Sequence, residues 1–154
     1  MKKIVISPFS QKLRNGKENP KNYPFWNEVI SDLKDLNFQI IQIGKNGENK
    51  LDNVSDVKFN LSLTEIKDQI LSADIWTSVD NFLPHFCNTF NSRGIVLFSK
   101  SDPMIFGYKQ NINLLKDRKY LRQYQFNTWE ECEFDTDSFV KPNIVVSSIL
   151  NWRK

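Results

Sequence analysis

Short apolar runs rich in Ile and Val alternate along this chain with longer segments of helical period, and no other feature of the sequence narrows the fold as much. The runs are Lys3–Ile6, Phe38–Ile43, Asp74–Thr77 and Gly94–Phe98. They are apolar nearly throughout rather than at every second residue, as strands are when both faces of a parallel sheet are covered. Between them, Tyr23–Leu36 places Trp26, Val29, Ile30, Leu33 and Leu36 at helical spacing, with Pro24 suited to a first turn. Ser62-Leu63-Thr64-Glu65 reads as a capping box ahead of Ile66, Ile70 and Leu71. Asp80 is placed to cap a helix reaching Asn91 that carries Phe82, Phe86 and Phe90. Pro142–Trp152 predicts a closing helix with Pro142 in its first turn.

This order of elements predicts an α/β fold: one three-layer, Rossmann-like domain over residues 1–154 with a mostly parallel sheet. Two stretches, 7–22 and 99–117, read as irregular, and long loops of this kind are often functional. The part from 104 to 154 is irregular and rich in aromatic residues, among them Tyr108, Tyr120, Tyr124, Phe126, Trp129, Phe134, Phe139 and Trp152. These predict a local core over the sheet edge, with a protein interface as the other reading.

Composition removes several classes of function. The chain's 154 residues suffice for a core without disulfides or metal. Its 21 basic and 18 acidic residues leave a net charge of +3, too mild and too dispersed for a dedicated nucleic-acid binder. The basic stretches Lys12–Lys21 and Lys116–Arg122 read as solvated loops. No apolar run approaches the ~20 residues that span a bilayer, and the apolar start is too short for a signal peptide. A soluble, cytoplasmic protein is expected. Cys87, Cys132 and the single His85 predict no disulfide framework, no metal site and no cofactor. Neither GxGxxG nor GxxxxGK[ST] is present, which excludes the usual dinucleotide-binding domain and the P-loop NTPases.

In open α/β sheets ligands bind beyond the carboxyl ends of the strands. The residues after each strand are Ser7, Ser10, Lys12 and Arg14; Gly44, Gly47 and Glu48; Ser78, Asp80, Asn81 and His85; and Ser99, Lys100, Ser101 and Asp102. A parallel sheet brings all four groups to one edge. Hydroxyls, free backbone N–H groups and cations together suit a diphosphate. Glu48 suits the two hydroxyls of a ribose. The plainer readings are that Asp80 is only a helix cap, His85 a packing residue, and Lys12, Arg14 and Glu48 solvated loop charges.

At these residues the chain resembles a known family. The stretch ADIWTSVDNFLPHFCNTFNSRGIVLF (73–98) followed by SKSDP resembles glycosyltransferase family 9, the heptosyltransferase-like GT-B enzymes. Their nucleotide-binding half carries D-[ST]-G-x-x-H-x-A at a helix start and a strand ending LFG-x-[ST]-D-P. The counterparts here are Asp80, Asn81 and His85, then Leu97-Phe98-Ser99 and Ser101-Asp102-Pro103. IVISPFSQK resembles that half's first strand and loop, and NYPFWNEVISDLKDLNFQIIQIGKNGE its first helix and second strand. Phe82 stands where the family has Gly, and Ser99 replaces the Gly of LFG.

The resemblance implies the C-terminal, nucleotide-sugar-binding half of a two-domain enzyme. It implies that Ser7, Ser10, Asp80, Asn81 and His85 meet the diphosphate and sugar, with Lys12 or Arg14 as the basic residue of the first loop. Gly44 precedes Glu48, which takes the ribose, and Leu61 with Ser62 lies near the base. The donor implied is an ADP-sugar. The acceptor half is missing from the resemblance, so the expected function is nucleotide-sugar binding without independent catalysis. Asp80 is the one carboxylate at a plausible place for a base. A second chain supplying the acceptor half, or a second copy of this chain, is the expected partner. The alternatives are a module that senses or sequesters an adenine-nucleotide derivative, and an interaction domain whose ligand site has decayed.

Overall fold

The computed structural model describes residues 1–154. Six parallel strands form one sheet: β1 (Lys2–Ser7), β2 (Phe38–Gly44), β3 (Asp56–Phe59), β4 (Ile75–Val79), β5 (Ile95–Leu97) and β6 (Ile112–Leu114). Their order across the sheet is β3-β2-β1-β4-β5-β6. The chain winds outward in one direction from β1 to β3 and in the other from β4 to β6, so the order reverses between β1 and β4. Ser7 pairs with Ser78 at that junction.

The helices are α1 (Trp26–Asp35), α2 (Leu63–Leu71), α3 (Phe82–Asn88), α4 (Pro103–Phe106) and α5 (Pro142–Leu150). They cover both faces, which is why the central strands are apolar on both. Ile4, Ile6, Ile40, Ile75, Val79, Ile95 and Leu97 pack with α1 and α5 in one core. Val5, Ile41, Ile43, Trp76, Val96 and Phe98 pack with α2 and α3 in the other. Neighbouring residues thus feed opposite cores, as the strand pleat requires.

Several boundaries differ from those the sequence predicts. The first helix starts at Trp26, not Tyr23, because residues 23–25 form a turn that buries the Tyr23 ring. The Tyr23 hydroxyl donates to the Val140 carbonyl at 2.9 Å, tying this turn to the start of the closing helix. The third helix ends at Asn88, and Asn91 sits in the left-handed region at φ 56°. Asn81, not Asp80, caps it: Asn81 Oδ1 accepts from the Leu83 backbone N–H at 3.0 Å. Ser62 forms the predicted capping box with Glu65, and Pro142 stands in the first turn of α5 as predicted. Strands β3 and β6 escape sequence reading because both are short and half-exposed, with no apolar run to mark them.

The polar loop from 8 to 22 contains no helix or strand, yet hydrogen bonds fix it along its length. Asn22 Oδ1 accepts from the Ser10 N–H at 2.7 Å, and Asn19 Nδ2 donates to the Gln11 carbonyl at 2.8 Å. Trp26 Nε1 donates to the Pro8 carbonyl at 3.1 Å, and Ser99 Oγ to the Pro20 carbonyl at 2.9 Å. The aromatic C-terminal part divides. Phe139 is buried in a core and Phe134 packs on it, whereas Tyr124 and Phe126 are exposed.

Candidate functional site

A cleft of about 990 Å³ opens at the carboxyl edge of the sheet, over the ends of β3, β2, β1 and β4. It spans the place where the strand order reverses, which is where ligands bind in this architecture. Its walls come from the loops after each of those strands and from residues 128–130 of the C-terminal part.

On the β3 side the wall is apolar, made by Leu61, Leu63, Ile66 and Ile43. Leu63 is 59% exposed and faces no protein partner that covers it. Next comes the end of β2. A Cβ at Gly44 would overlap the Glu48 carboxylate, so Gly44 is what allows Glu48 to fold back over the strand end. Gly47, with φ 89°, makes the reversal possible. Burial pushes the Glu48 carboxyl up from its ordinary pKa, opposed by the Lys45 backbone and by the Lys45 and Lys12 charges. Gln42 holds the loop that follows: its Nε2 donates to the Asn49 carbonyl and its Oε1 accepts from the Leu51 N–H, both at 2.8 Å.

The centre of the cleft is a connected polar network. Asn81 Nδ2 lies 3.0 Å from Ser7 Oγ, 3.1 Å from the Phe9 carbonyl and 3.3 Å from the Ser7 carbonyl. One side chain thus caps α3 and shapes the loop after β1. Ser10 Oγ donates to the Asp80 carbonyl at 2.6 Å. The buried Asp80 carboxylate accepts from Ser101 Oγ at 2.8 Å and pairs with Lys21 Nζ at 3.2 Å. Around this network stand Lys12, Arg14, Lys45 and Lys58. The side chains of Lys12, Arg14 and Lys45 have no carboxylate within ion-pair distance; Lys12 and Lys45 act on Glu48, and Arg14 on Glu130, only at longer range.

The far wall comes from the C-terminal part. Lys21 Nζ lies 4.7 Å from the centre of the Trp129 ring, and the Arg122 guanidinium 3.5 Å from it. Both are cation–π contacts. Glu130 Oε1 accepts from the Arg14 backbone N–H at 3.1 Å, and Asn15 Nδ2 lies 3.4 Å from the Glu130 carbonyl. The segment is itself anchored on the β5 side of the crevice: Arg122 N–H donates to the Lys100 carbonyl at 3.1 Å, and Gln125 Nε2 donates to the same carbonyl at 2.9 Å.

Of the residues singled out in the sequence, Ser7, Ser10, Lys12, Arg14, Gly44, Glu48, Leu61, Asp80 and Asn81 line this cleft. Ser62 and His85 do not line it, and neither do Gly47, Ser78 or the group after the fifth strand, Ser99, Lys100, Ser101 and Asp102. Ser62 is occupied with its capping box. His85 is exposed, with Nδ1 2.8 Å from the Tyr108 hydroxyl and its ring edge-on to that tyrosine. Sequence reading missed Lys21, Lys45, Asn60, Thr128 and Glu130 as cleft residues. Lys21 lay in view, in the same polar loop as Lys12. Nothing in the sequence marks residues 128–130, because only the folding of the C-terminal part brings them over the first loop. No group of His, Cys, Asp and Glu side chains is arranged to hold a metal ion.

No protein-family model and no curated protein matches this sequence. Solved structures do match it in fold. The ADP-heptose lipopolysaccharide heptosyltransferase II of E. coli superposes with a TM-score of 0.67 at 13% identity, over 97% of this chain and 45% of that one. TibC, a dodecameric iron-containing heptosyltransferase solved in complex with ADP-D-β-D-heptose, gives 0.63 at 16% identity, over 92% of this chain and 36% of that one. The E. coli heptosyltransferase WaaC, solved with ADP, gives 0.58 at 20% identity, over 71% of this chain and 36% of that one. The chain therefore spans less than half the length of each of these enzymes. Its parallel six-stranded sheet with helices on both faces is the α/β Rossmann-like architecture of GT-B heptosyltransferases, over part of their length.

Proposed function

We propose that this chain is a glycosyltransferase-like domain that binds a nucleoside-diphosphate sugar in the switch-point cleft, without turning it over on its own. The observation that supports this most is the order of chemistries along the cleft. An apolar wall at Leu61 and Leu63 suits a nucleobase. The Glu48 carboxylate beside it suits the ribose hydroxyls. The cations Lys12, Arg14 and Lys21, with Ser10 and Asn81, suit a diphosphate. The fold neighbours solved with ADP and with an ADP-heptose favour an adenosine diphosphate as the carrier. That ligand class also favours the cytoplasm as the place of action, and no helix is long and apolar enough to cross a membrane.

Transfer needs a base at the acceptor hydroxyl. Asp80 is the central carboxylate, and its charge is already matched: one oxygen, Oδ2, takes both the Lys21 ammonium and the Ser101 hydroxyl. That arrangement suits a positioning role and favours binding over catalysis. A separate chain carrying the acceptor half, or a second copy of this chain, would be needed to complete a transferase.

Calorimetric titration with ADP, UDP, GDP and CDP tests the reading. One nucleotide class binds, and the double variant Lys12→Met, Arg14→Met loses about tenfold or more in affinity, as expected for losing charge-assisted hydrogen bonds. Both side chains are free of protein ion pairs, so the variant keeps its fold. Binding by none of the four, or equal binding by the variant, contradicts the proposal. Steady release of free sugar or transfer product by the chain alone contradicts its non-catalytic part.

A further inference from the structure

We infer that Thr128, Trp129 and Glu130 form a subsite for the group carried beyond the diphosphate, and that Glu130 makes this subsite favour a neutral polyhydroxyl group over a further phosphate. The inference rests on the nucleoside-diphosphate reading of the cleft.

The strand order sets the direction of the ligand. The apolar wall lies over β3, Glu48 over β2, and the Ser10–Asp80–Asn81 network over β1 and β4. The segment bearing Thr128–Glu130 is fastened to the backbone just past β5. Thr128–Glu130 themselves adjoin the cations of the first loop, Glu130 through the Arg14 N–H and Trp129 through Lys21, so a ligand whose base lies on Leu61 and whose diphosphate lies on Lys12, Arg14 and Lys21 carries its next group alongside Thr128–Glu130.

The chemistry at that end differs from the middle of the cleft. Glu130 uses Oε1 to accept from the Arg14 N–H, while Oε2 takes part in no hydrogen bond. The Thr128 hydroxyl is likewise without a protein partner, and only its carbonyl is used, by Arg122 and by the Glu131 N–H. The Arg14 backbone N–H holds the Glu130 carboxyl below the ordinary glutamate range, so it is charged at neutral pH. A fixed anion with a free oxygen accepts hydrogen bonds from sugar hydroxyls and repels a third phosphate. Discrimination by repulsion of the wrong ligand is a general device. Trp129 keeps this wall in place through its contacts with Arg122 and Lys21.

Competition titrations of the full chain decide it, with ADP, ADP-glucose and ATP run beside UDP, UDP-glucose and UTP. The wild type prefers the sugar conjugate to the triphosphate of the accepted base. Glu130→Gln, which keeps an oxygen for the Arg14 N–H, narrows that preference by about three- to fivefold, the scale of one exposed charge interaction, with diphosphate affinity unchanged. Thr128→Val weakens the sugar conjugate alone. An unchanged preference in Glu130→Gln, with the diphosphate still bound, overturns this inference and leaves the nucleotide reading standing. Equal weakening of all three ligands marks Glu130 as a loop anchor only and also overturns it. Where GDP or CDP is the class that binds, its sugar conjugate and triphosphate replace these six; binding of no nucleoside diphosphate overturns the parent reading, and this one with it.

Discussion

Glu48 shows how a single residue's role depends on a neighbour that has no side chain. Gly44 leaves the space into which the Glu48 carboxylate folds, and burial there raises its pKa. A carboxylate that accepts hydroxyl hydrogens from a ribose must be ionised. Nucleotide affinity is therefore expected to fall as pH is lowered, starting above the range where an ordinary glutamate titrates. Glu48→Gln binds more weakly at neutral pH and shows no such slope, which titrations from pH 7.5 to 5 would reveal. The effect on stability has the opposite sign. The folded state holds the Glu48 proton more tightly than the unfolded chain does. Stability is thus lost as pH rises through the interval between the ordinary and the raised value. A binding profile that is flat with pH in the wild type contradicts this role for Glu48. Asp80 depends instead on a charged neighbour: its carboxylate pairs with Lys21 and holds that lysine in place.

Among the elements, the central strands and α2 were legible in the sequence because their signals are local. Strands β1, β2, β4 and β5 are apolar runs, and the Ser62–Glu65 pair marks the start of α2 within four residues. Ser62→Ala removes that cap and is expected to cost about 1 kcal/mol in urea unfolding, with no change in nucleotide affinity because Ser62 lies outside the cleft. The start of α1 was misread because Tyr23 and Pro24 continue the helical period but are held in a turn by a hydroxyl bond to Val140, 117 residues away. Edge strands β3 and β6 were invisible because half-exposed strands need no apolar run. Just before β5, a Cβ at Gly94 would overlap the buried Trp76 indole. Gly94→Ala is expected to lose about 1–3 kcal/mol by overpacking, and an unchanged unfolding midpoint would show that Trp76 can move aside.

The whole molecule brings together what the chain keeps apart. Nine of the residues expected at the site meet in one cleft because a parallel sheet sends every strand end to the same edge. The wall at 128–130 was not legible, since it depends on the C-terminal part crossing back over the first loop. In the reading proposed above, this cleft, at the reversal of strand order, is where the molecule binds a nucleoside diphosphate. The most direct test is an amide NMR titration of the isotope-labelled chain with ADP and with the other nucleoside diphosphates. Shifts are expected to be confined to residues 7–14, 19–21, 43–48, 58–66, 80–82 and 128–130, saturating together at one affinity. Shifts centred on the α1–α5 face, or none at millimolar nucleotide, would contradict it.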